Sequence, residues 1–174
     1  PAYQTPEAIQ AFQQAREFFY QQQWDKAQAA AAMALAANPK MGDAEILIGL
    51  IATVRSQFPE AEKHFLRAEA LEPWNYQAHA YLGSTYLQEK RLPEATGAFR
   101  KVLELNPGNV AANYNLGLIA LEQNATAEAL RRFETVLRVS RSDVLALTGV
   151  LTCKLMLGRT TDAGRTAHQL QAVL

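Results

Sequence analysis

The feature that most constrains this chain is a pattern that recurs at a fixed interval of 34 residues. Four series follow it: Pro39, Pro73 and Pro107; Ala27, Ala61, Ala95, Ala129 and Ala163; Gly49, Gly83 and Gly117; and Phe65, Phe99 and Phe133. Internal repetition with a period of about 20 to 50 residues is typical of solenoids and repeat arrays. The interval predicts units at 8–41, 42–75, 76–109, 110–143 and 144–174, with a lead-in at 1–7.

Each unit has the pattern of two helices joined by a short turn. In 76–109, apolar residues recur at helical spacing up to Tyr86, residues 89–92 interrupt the pattern, and Pro93 opens a second helix. Proline suits the first turn of a helix because its missing N–H would have no intrahelical partner there. Helices of about a dozen residues are marginal alone in water, so each hairpin must pack on its neighbours. The pattern predicts an all-α solenoid.

The glycine and alanine series predict close packing within each hairpin. Glycine inside a helix costs about 1 kcal/mol relative to alanine, so a compensating contact is expected. We expect the glycines to let the second helix approach at Ala61, Ala95 and Ala129. The aromatic series is expected to fill the wider space on either side.

These motifs resemble the tetratricopeptide repeat, whose pattern is roughly W-x2-L-G-x2-Y, then A-x3-F-x2-A, then P. Unit 76–109 matches it at Leu82, Gly83, Tyr86, Ala95, Phe99 and Pro107. It departs from the pattern at His79 and Val102, and the first and last units match less well. The resemblance implies a right-handed superhelix of five hairpins that binds other proteins and catalyses no reaction.

In this family the first helix of each hairpin lines a concave groove, so the resemblance implies a set of groove residues. Carried over by repeat position, they are Phe12, Arg16, Phe19 and Tyr20; Ile46, Leu47, Leu50 and Val54; Tyr81, Ser84, Leu87 and Gln88; and Tyr114, Asn115, Leu118 and Glu122. The set is largely apolar and aromatic, as expected for a groove that receives a helix or an extended peptide. We expect Tyr81 and Tyr114 to be the main ligand contacts.

The resemblance also indicates one ligand that this groove does not take. Relatives that clamp a terminal carboxylate use lysine and asparagine at groove positions that here hold Phe12, Leu47 and Gln77. Arg16 is the only cation near these positions. We therefore do not expect a carboxylate clamp.

No constellation for catalysis or metal binding is recognisable in the sequence. His64, His79 and His168 occupy three different repeat positions, so no pair has the spacing of metal ligands. We interpret each of them as a surface or interface side chain. Cys153 is the single cysteine, and we expect it in the core, where a free cysteine behaves as a small apolar residue. We expect no enzyme activity, no metal and no cofactor.

Charge and hydropathy argue against membrane insertion and against nucleic-acid binding. The formal net charge is zero, and no apolar run is long enough to cross a bilayer, so membrane insertion is not expected. Residues 131–174 have a basic surplus, but the arginines fall mostly on second helices and turns, away from the groove. Nucleic acid is therefore not the expected partner. A protein or peptide ligand is expected, and the composition does not separate the cellular compartments.

The last predicted helix leaves an alternative open. It has an apolar edge made of Ala163, Ala167, Leu170, Val173 and Leu174. Such an edge favours either a homodimer or a following segment that covers it. The alternative function is therefore the non-catalytic arm of a larger enzyme, or of an envelope or secretion assembly protein, docked on another domain.

Overall fold

A computed structural model describes residues 5–174, and this range contains ten helices and no strand. They are α1 (Pro6–Tyr20), α2 (Trp24–Ala37), α3 (Gly42–Val54), α4 (Phe58–Leu71), α5 (Tyr76–Gln88), α6 (Leu92–Leu105), α7 (Val110–Glu122), α8 (Thr126–Val139), α9 (Val144–Met156) and α10 (Thr160–Gln171). The predicted all-α class is confirmed. Helix α1 begins inside the predicted lead-in, whose residues 1–4 lie outside the described residues.

The helix starts repeat with the interval found in the sequence. Helices α3, α5, α7 and α9 begin at residues 42, 76, 110 and 144, which are 34 apart. Helices α2, α4, α6, α8 and α10 begin at residues 24, 58, 92, 126 and 160, again 34 apart. Pro59 and Pro93 lie in the first turns of α4 and α6, as expected. The repeat in the sequence is therefore also a repeat in secondary structure.

The turn between the two helices of each 34-residue repeat has the same backbone conformation in all five repeats. The residues with positive φ are Gln22, Ser56, Lys90, Asn124 and Gly158, with φ between 58° and 70°. The next residue donates its N–H to a carbonyl five residues back, as from Gln23 to Phe18 at 2.9 Å. This is the Schellman motif, which ends the first helix sharply. Four of the five turns adopt it without glycine, at a cost of roughly 1 kcal/mol each.

The chain divides into two compact units, one that ends at Arg91 and one formed by Leu92–Leu174. In the first unit α1 packs on α2 and α3 on α4, and α2 and α4 each pack on the helix that follows. In the second unit each of the helices α6 to α9 includes among its contacts the helix that follows it. The boundary between the units falls in the turn after α5.

Glycines of the first helices make room for phenylalanine rings of the second helices. A Cβ built on Gly49 would lie 2.5 Å from the Phe65 ring, and one on Gly117 would lie 2.7 Å from the Phe133 ring. Both rings are almost fully buried. The expected glycine contact with Ala61 and Ala129 is therefore wrong in these two hairpins, since the nearest atoms belong to the ring.

Two of the three histidines are interface residues between helices. In His64, Nδ1 lies 2.5 Å from Oε2 of Glu45, and Nε2 lies 3.1 Å from Oε1 of Glu60. In His79, Nδ1 lies 3.6 Å from Oε1 of Glu69. Both imidazoles are buried, whereas His168 is exposed. The sequence analysis did not predict that His64 and His79 would each lie beside a glutamate.

Candidate functional site

An open cavity of about 350 Å³ lies in the first unit among the helices α1, α3 and α5. It is lined by Phe12, Arg16, Phe19 and Tyr20 from α1, by Asp43, Ile46, Leu47 and Leu50 from α3, and by Gln77 and Tyr81 from α5. All three are the first helices of their predicted repeats. The volume lies at the lower end of the range for ligand sites, and the lining combines apolar side chains with a few polar ones.

Helical periodicity places these residues on one face of each helix. The lining positions on α1 are 12, 16, 19 and 20, and those on α3 are 43, 46, 47 and 50. Steps of three or four residues bring side chains to the same side of a helix. Gln77 and Tyr81 on α5 are likewise four residues apart. The cavity is therefore built from one face of three helices.

The floor of the cavity belongs to the packed interior of the hairpins. Ile46 and Leu47 are each 7% exposed. Tyr81 stacks on Phe65 with ring centroids 5.4 Å apart, and Phe19 meets Trp24 edge to face at 5.2 Å. These contacts hold the aromatic walls in place, so a ligand finds an apolar surface that already exists.

Two oppositely charged side chains, Arg16 and Asp43, line the cavity without forming an ion pair with each other. Among residues 5–174, neither Arg16 on α1 nor Asp43 on α3 forms a hydrogen bond or an ion pair. Asp43 is solvent-exposed but partly surrounded by protein, and this partial burial raises its pKa; the nearby Glu72 carboxylate raises it further, and Arg16 lowers it. Glu72 accepts a hydrogen bond from Nδ2 of Asn75 at 3.0 Å. The cavity thus presents one guanidinium and one carboxylate to any ligand.

Most of the groove residues predicted for the first unit meet in this cavity. Those that line it are Phe12, Arg16, Phe19, Tyr20, Ile46, Leu47, Leu50 and Tyr81. Val54, Ser84, Leu87 and Gln88 do not line it. The Ser84 hydroxyl donates to the carbonyl of Ala80 at 3.0 Å, and Gln88 is the exposed last residue of α5.

Asp43 and Gln77 line the cavity but were not among the predicted groove residues. Each lies one helical turn before a residue that was predicted, Leu47 and Tyr81 respectively. The same periodicity that grouped the predicted residues was therefore a signal for these two. Both are exposed polar side chains at the start of a helix. The resemblance names the position of Gln77 only as one at which relatives clamp a carboxylate, and it does not name that of Asp43.

In the second unit the predicted groove residues lie on α7. Tyr114 packs against Phe133 with ring centroids 5.6 Å apart. Asn115 is half-buried, Leu118 is 41% exposed, and Glu122 is exposed. Tyr81 and Tyr114 are therefore both half-buried against a phenylalanine, and an alanine at either position would alter core packing as well as the surface.

The predicted apolar edge on α10 is only partly available. Ala163 is 2% exposed, so the prediction that it contributes to a docking edge is wrong, because the residue belongs to the hairpin core. Ala167 and Leu170 are half-buried. Val173 and Leu174 are 38% and 85% exposed and form the accessible part of the edge.

The cysteine is buried, and the described residues contain no cluster of metal ligands. Cys153 is fully buried, as predicted, and burial raises the pKa of its thiol, which disfavours the reactive thiolate. Among residues 5–174 no three His, Cys, Asp or Glu side chains converge as metal ligands would. In the same range no helix is both long and apolar enough to cross a membrane. What the cavity itself offers is shape, apolar contact and two charges.

Two family models described as the tetratricopeptide repeat match this chain. One matches residues 12–73 and 54–110, and the other matches residues 86–151. Together the matches extend from α1 into α9. A search of curated proteins found no significant sequence match.

Several solved structures share the fold at low sequence identity. The structure of Pseudomonas aeruginosa pilF is 18% identical, with a TM-score of 0.85 over 97% of this chain and 77% of that chain. MamA from Desulfovibrio magneticus RS-1 is 12% identical, with a TM-score of 0.84 over 98% and 96%. YrrB, described as a TPR protein with an unusual peptide-binding site, is 18% identical, with a TM-score of 0.77 over 95% and 86%. At these identities the similarity shows the fold alone.

Proposed function

The chain belongs to the tetratricopeptide repeat family, and on this premise we propose that it is a non-catalytic scaffold that binds a peptide or helix of another protein. The proposed site is the cavity formed by α1, α3 and α5. The observation that carries the proposal is that this cavity combines an apolar floor with polar groups that have no partner among the described residues. The peptide-binding site described for YrrB, which has the same fold, supports the proposal.

A peptide suits this cavity because the two kinds of surface are separate. The buried residues Ile46 and Leu47 and the half-buried Leu50 provide contact for one large apolar side chain. Exposed polar side chains such as Arg16 and Gln77 can hydrogen-bond to a peptide backbone. Apolar anchors in a pocket with a polar rim are the usual arrangement at peptide and protein interfaces.

We further propose that the exposed residues of α7 contribute a contact surface in the second unit. Leu118 is an exposed leucine on this helix, and Glu122 lies one turn after it. This part of the proposal rests on the groove positions of the family, and the variant Leu118→Arg tests it separately below.

The test is a peptide-display selection on the full chain, followed by fluorescence anisotropy with the selected peptides. The variant Leu50→Arg fills the cavity with a long charged side chain, and Tyr20→Ala removes an exposed aromatic from its rim. We expect each change to weaken binding, Leu50→Arg by about tenfold or more. Trp74→Ala is the matched control, because Trp74 is 71% exposed, as against 73% for Tyr20, and lies outside the cavity.

The variant Leu118→Arg tests the second unit in the same assay. Weaker binding in this variant supports a contribution from α7, and unchanged binding limits the site to the first unit. Far-UV circular dichroism of every variant shows whether the helices are retained. Selected peptides that bind Leu50→Arg and Tyr20→Ala as well as the original chain would contradict the proposed site, as would a selection that yields no peptide.

A further inference from the structure

We infer that the cavity of the first unit selects a peptide segment in which one large apolar side chain is flanked by a carboxylate and a basic group. This inference rests on the proposed function and adds the charge pattern of the ligand. The arrangement that points to it is the pair Arg16 and Asp43, opposite charges that line one cavity and do not bridge each other.

Arg16 is free to receive an anionic group. It is exposed on α1, and its neighbours Gln13, Glu17 and Tyr20 line an adjoining hollow of about 220 Å³ with it. The Glu17 carboxylate forms no ion pair with Arg16. A guanidinium with unused donors favours a carboxylate, since it can bind both carboxylate oxygens at once.

Asp43 is free to receive a cationic group. It lies in the first turn of α3, and the nearby Glu72 already accepts a hydrogen bond from Asn75. Partial burial and the Glu72 charge disfavour the ionised form of Asp43, whereas the Arg16 charge favours it. An ammonium or guanidinium group of a ligand would reverse that penalty.

The apolar floor shares the cavity with both charges. Ile46 and Leu47 belong to α3 together with Asp43, and Phe12 and Phe19 belong to α1 together with Arg16. When an apolar side chain of the peptide binds on this floor, the residues before and after it in the peptide therefore lie close to α1 and α3. One anchor and two flanking charges fit this layout.

Ligands of a single charge sign fit it less well. A purely acidic segment would meet the Asp43 carboxylate, and a purely basic one would meet the Arg16 guanidinium. Like charges brought together at an interface oppose binding and supply specificity. The site therefore differs from a carboxylate clamp, in which only cationic and amide donors face the ligand.

The test uses four synthetic peptides, each acetylated and amidated, with the same single central Phe as the anchor. The flanking residues are Glu and Lys, Glu and Gln, Gln and Lys, or Gln and Gln. Each peptide carries fluorescein, and anisotropy measures its dissociation constant for the full chain. We expect the Glu and Lys peptide to bind tightest, and each replacement by Gln to weaken binding by roughly threefold to tenfold.

Two variants connect each peptide charge to its partner. For the variant Arg16→Gln, we expect peptides with Glu and with Gln at the acidic flank to have equal dissociation constants. For Asp43→Asn, we expect peptides with Lys and with Gln at the basic flank to have equal dissociation constants. Such double-mutant cycles isolate the pairwise interaction. Far-UV circular dichroism of both variants shows whether the helices are retained. Arg138→Gln and Glu104→Gln, exposed and outside the cavity, are the matched controls.

Three results would overturn the charge pattern. They are equal binding of the neutral and the mixed peptide, no coupling to Arg16 or Asp43, and failure of all four peptides to bind. In each case the display selection with Leu50→Arg shows separately whether the proposed function holds. If selected peptides bind in the cavity but charge has no effect, the groove function stands and this inference fails.

Discussion

The two units place different polar pairs at the same two repeat positions. In the first unit the pair is Glu45 on α3 and His64 on α4, with Oε2 and Nδ1 2.5 Å apart. Two repeats later the pair is Asn113 on α7 and Arg132 on α8, with Oδ1 and Nη1 3.5 Å apart. The repeat thus determines which positions face each other, and leaves open the chemistry that joins them.

The two pairs also differ in how much each partner depends on the other. Asn113 donates from Nδ2 to the carbonyls of Pro107 and Asn109, at 3.1 and 3.0 Å, so its amide is satisfied without Arg132. In the first unit Glu45 and His64 are both buried, at 6% and 8% exposed. Glu45 also lies near Arg67, whose Nη1 is 3.9 Å from Oε1, but its contact with His64 is much shorter. Because a buried carboxylate without a close partner is costly, we expect the first pair to be more strongly coupled than the second.

A second difference concerns how each unit encloses its phenylalanine. Phe65 lies between Gly49 and the ring of Tyr81, whereas Phe133 lies between Gly117 and Gly149. Tyr81 and Gly149 occupy the same repeat position, 68 residues apart. At this position Tyr81 both covers the Phe65 ring and lines the cavity, whereas Gly149 only leaves room for the Phe133 ring. The cavity of the first unit therefore depends on this residue choice.

The largest expected effect is on the coupled pair. We expect His64→Ala to lower the free energy of unfolding by about 3 to 5 kcal/mol, because it leaves the Glu45 carboxylate buried without its close partner. Arg132→Ala should cost only about 1 kcal/mol, because Asn113 keeps its backbone partners. Urea denaturation followed by circular dichroism measures both.

The double variant Glu45→Leu with His64→Leu is the control for that comparison. Apolar side chains of similar size at both positions should restore most of the lost stability. Equal losses for His64→Ala and Arg132→Ala would break the distinction between a coupled and an independent pair.

An intermediate effect is expected at the glycines that seat the rings. Gly49→Ala and Gly149→Ala should each destabilise the chain by about 1 to 3 kcal/mol, because the new Cβ would lie 2.5 and 2.7 Å from a phenylalanine ring. Gly97 and Gly164 lie inside α6 and α10, and a Cβ there would have no neighbour within 4 Å. Alanine at these two control positions should stabilise the chain by up to about 1 kcal/mol.

Thermal and urea unfolding of the four variants would distinguish glycines that pack against a phenylalanine ring from glycines whose added Cβ would have no neighbour. If Gly149→Ala were neutral, Phe133 would be free to move, and its enclosure between two glycines would not be a rigid constraint. The contrast with Phe65, which is covered by Tyr81, would then become a difference in mobility.

The smallest expected effect is the loss of stability at alkaline pH that arises from Tyr86 in the first unit. The Tyr86 hydroxyl donates to Oε1 of Glu62 at 2.9 Å, and burial together with this carboxylate raises the pKa of Tyr86 to about 12. The equivalent positions hold Thr96 and Ala120 one repeat later, and Leu130 and Lys154 two repeats later. The unfolded chain loses this proton near pH 10 and the folded chain near pH 12, so stability falls as the pH rises between these values.

The variant Tyr86→Phe should lose about 1 kcal/mol at pH 8 and show a smaller decrease in stability from pH 10 to pH 12. Cys153, whose pKa burial also raises, is present in both chains, so the difference between the two pH profiles isolates Tyr86. Parallel profiles would show that the Tyr86 proton does not contribute. Urea midpoints measured across this pH range provide the comparison.

Much of the candidate site was predictable because it depends on local spacing. Eight residues predicted for the groove of the first unit line the cavity, since a helix brings positions three or four apart to one face. Asp43 was missed, although it shares that spacing with Leu47. The unpaired state of Arg16 and Asp43 was not predictable, because it depends on which side chains of other helices come within reach.

The sequence by itself determined the all-α class and the division of the chain into repeated helix pairs, because these depend on residues close together along the chain. Only the tertiary structure decided that Gly49 seats the Phe65 ring and that His64 is paired with Glu45. Each of these depends on contacts between different helices, which a 34-residue period aligns but does not specify. The same reason separates the hairpin, which the repeat encodes, from the charged cavity, which is particular to this chain.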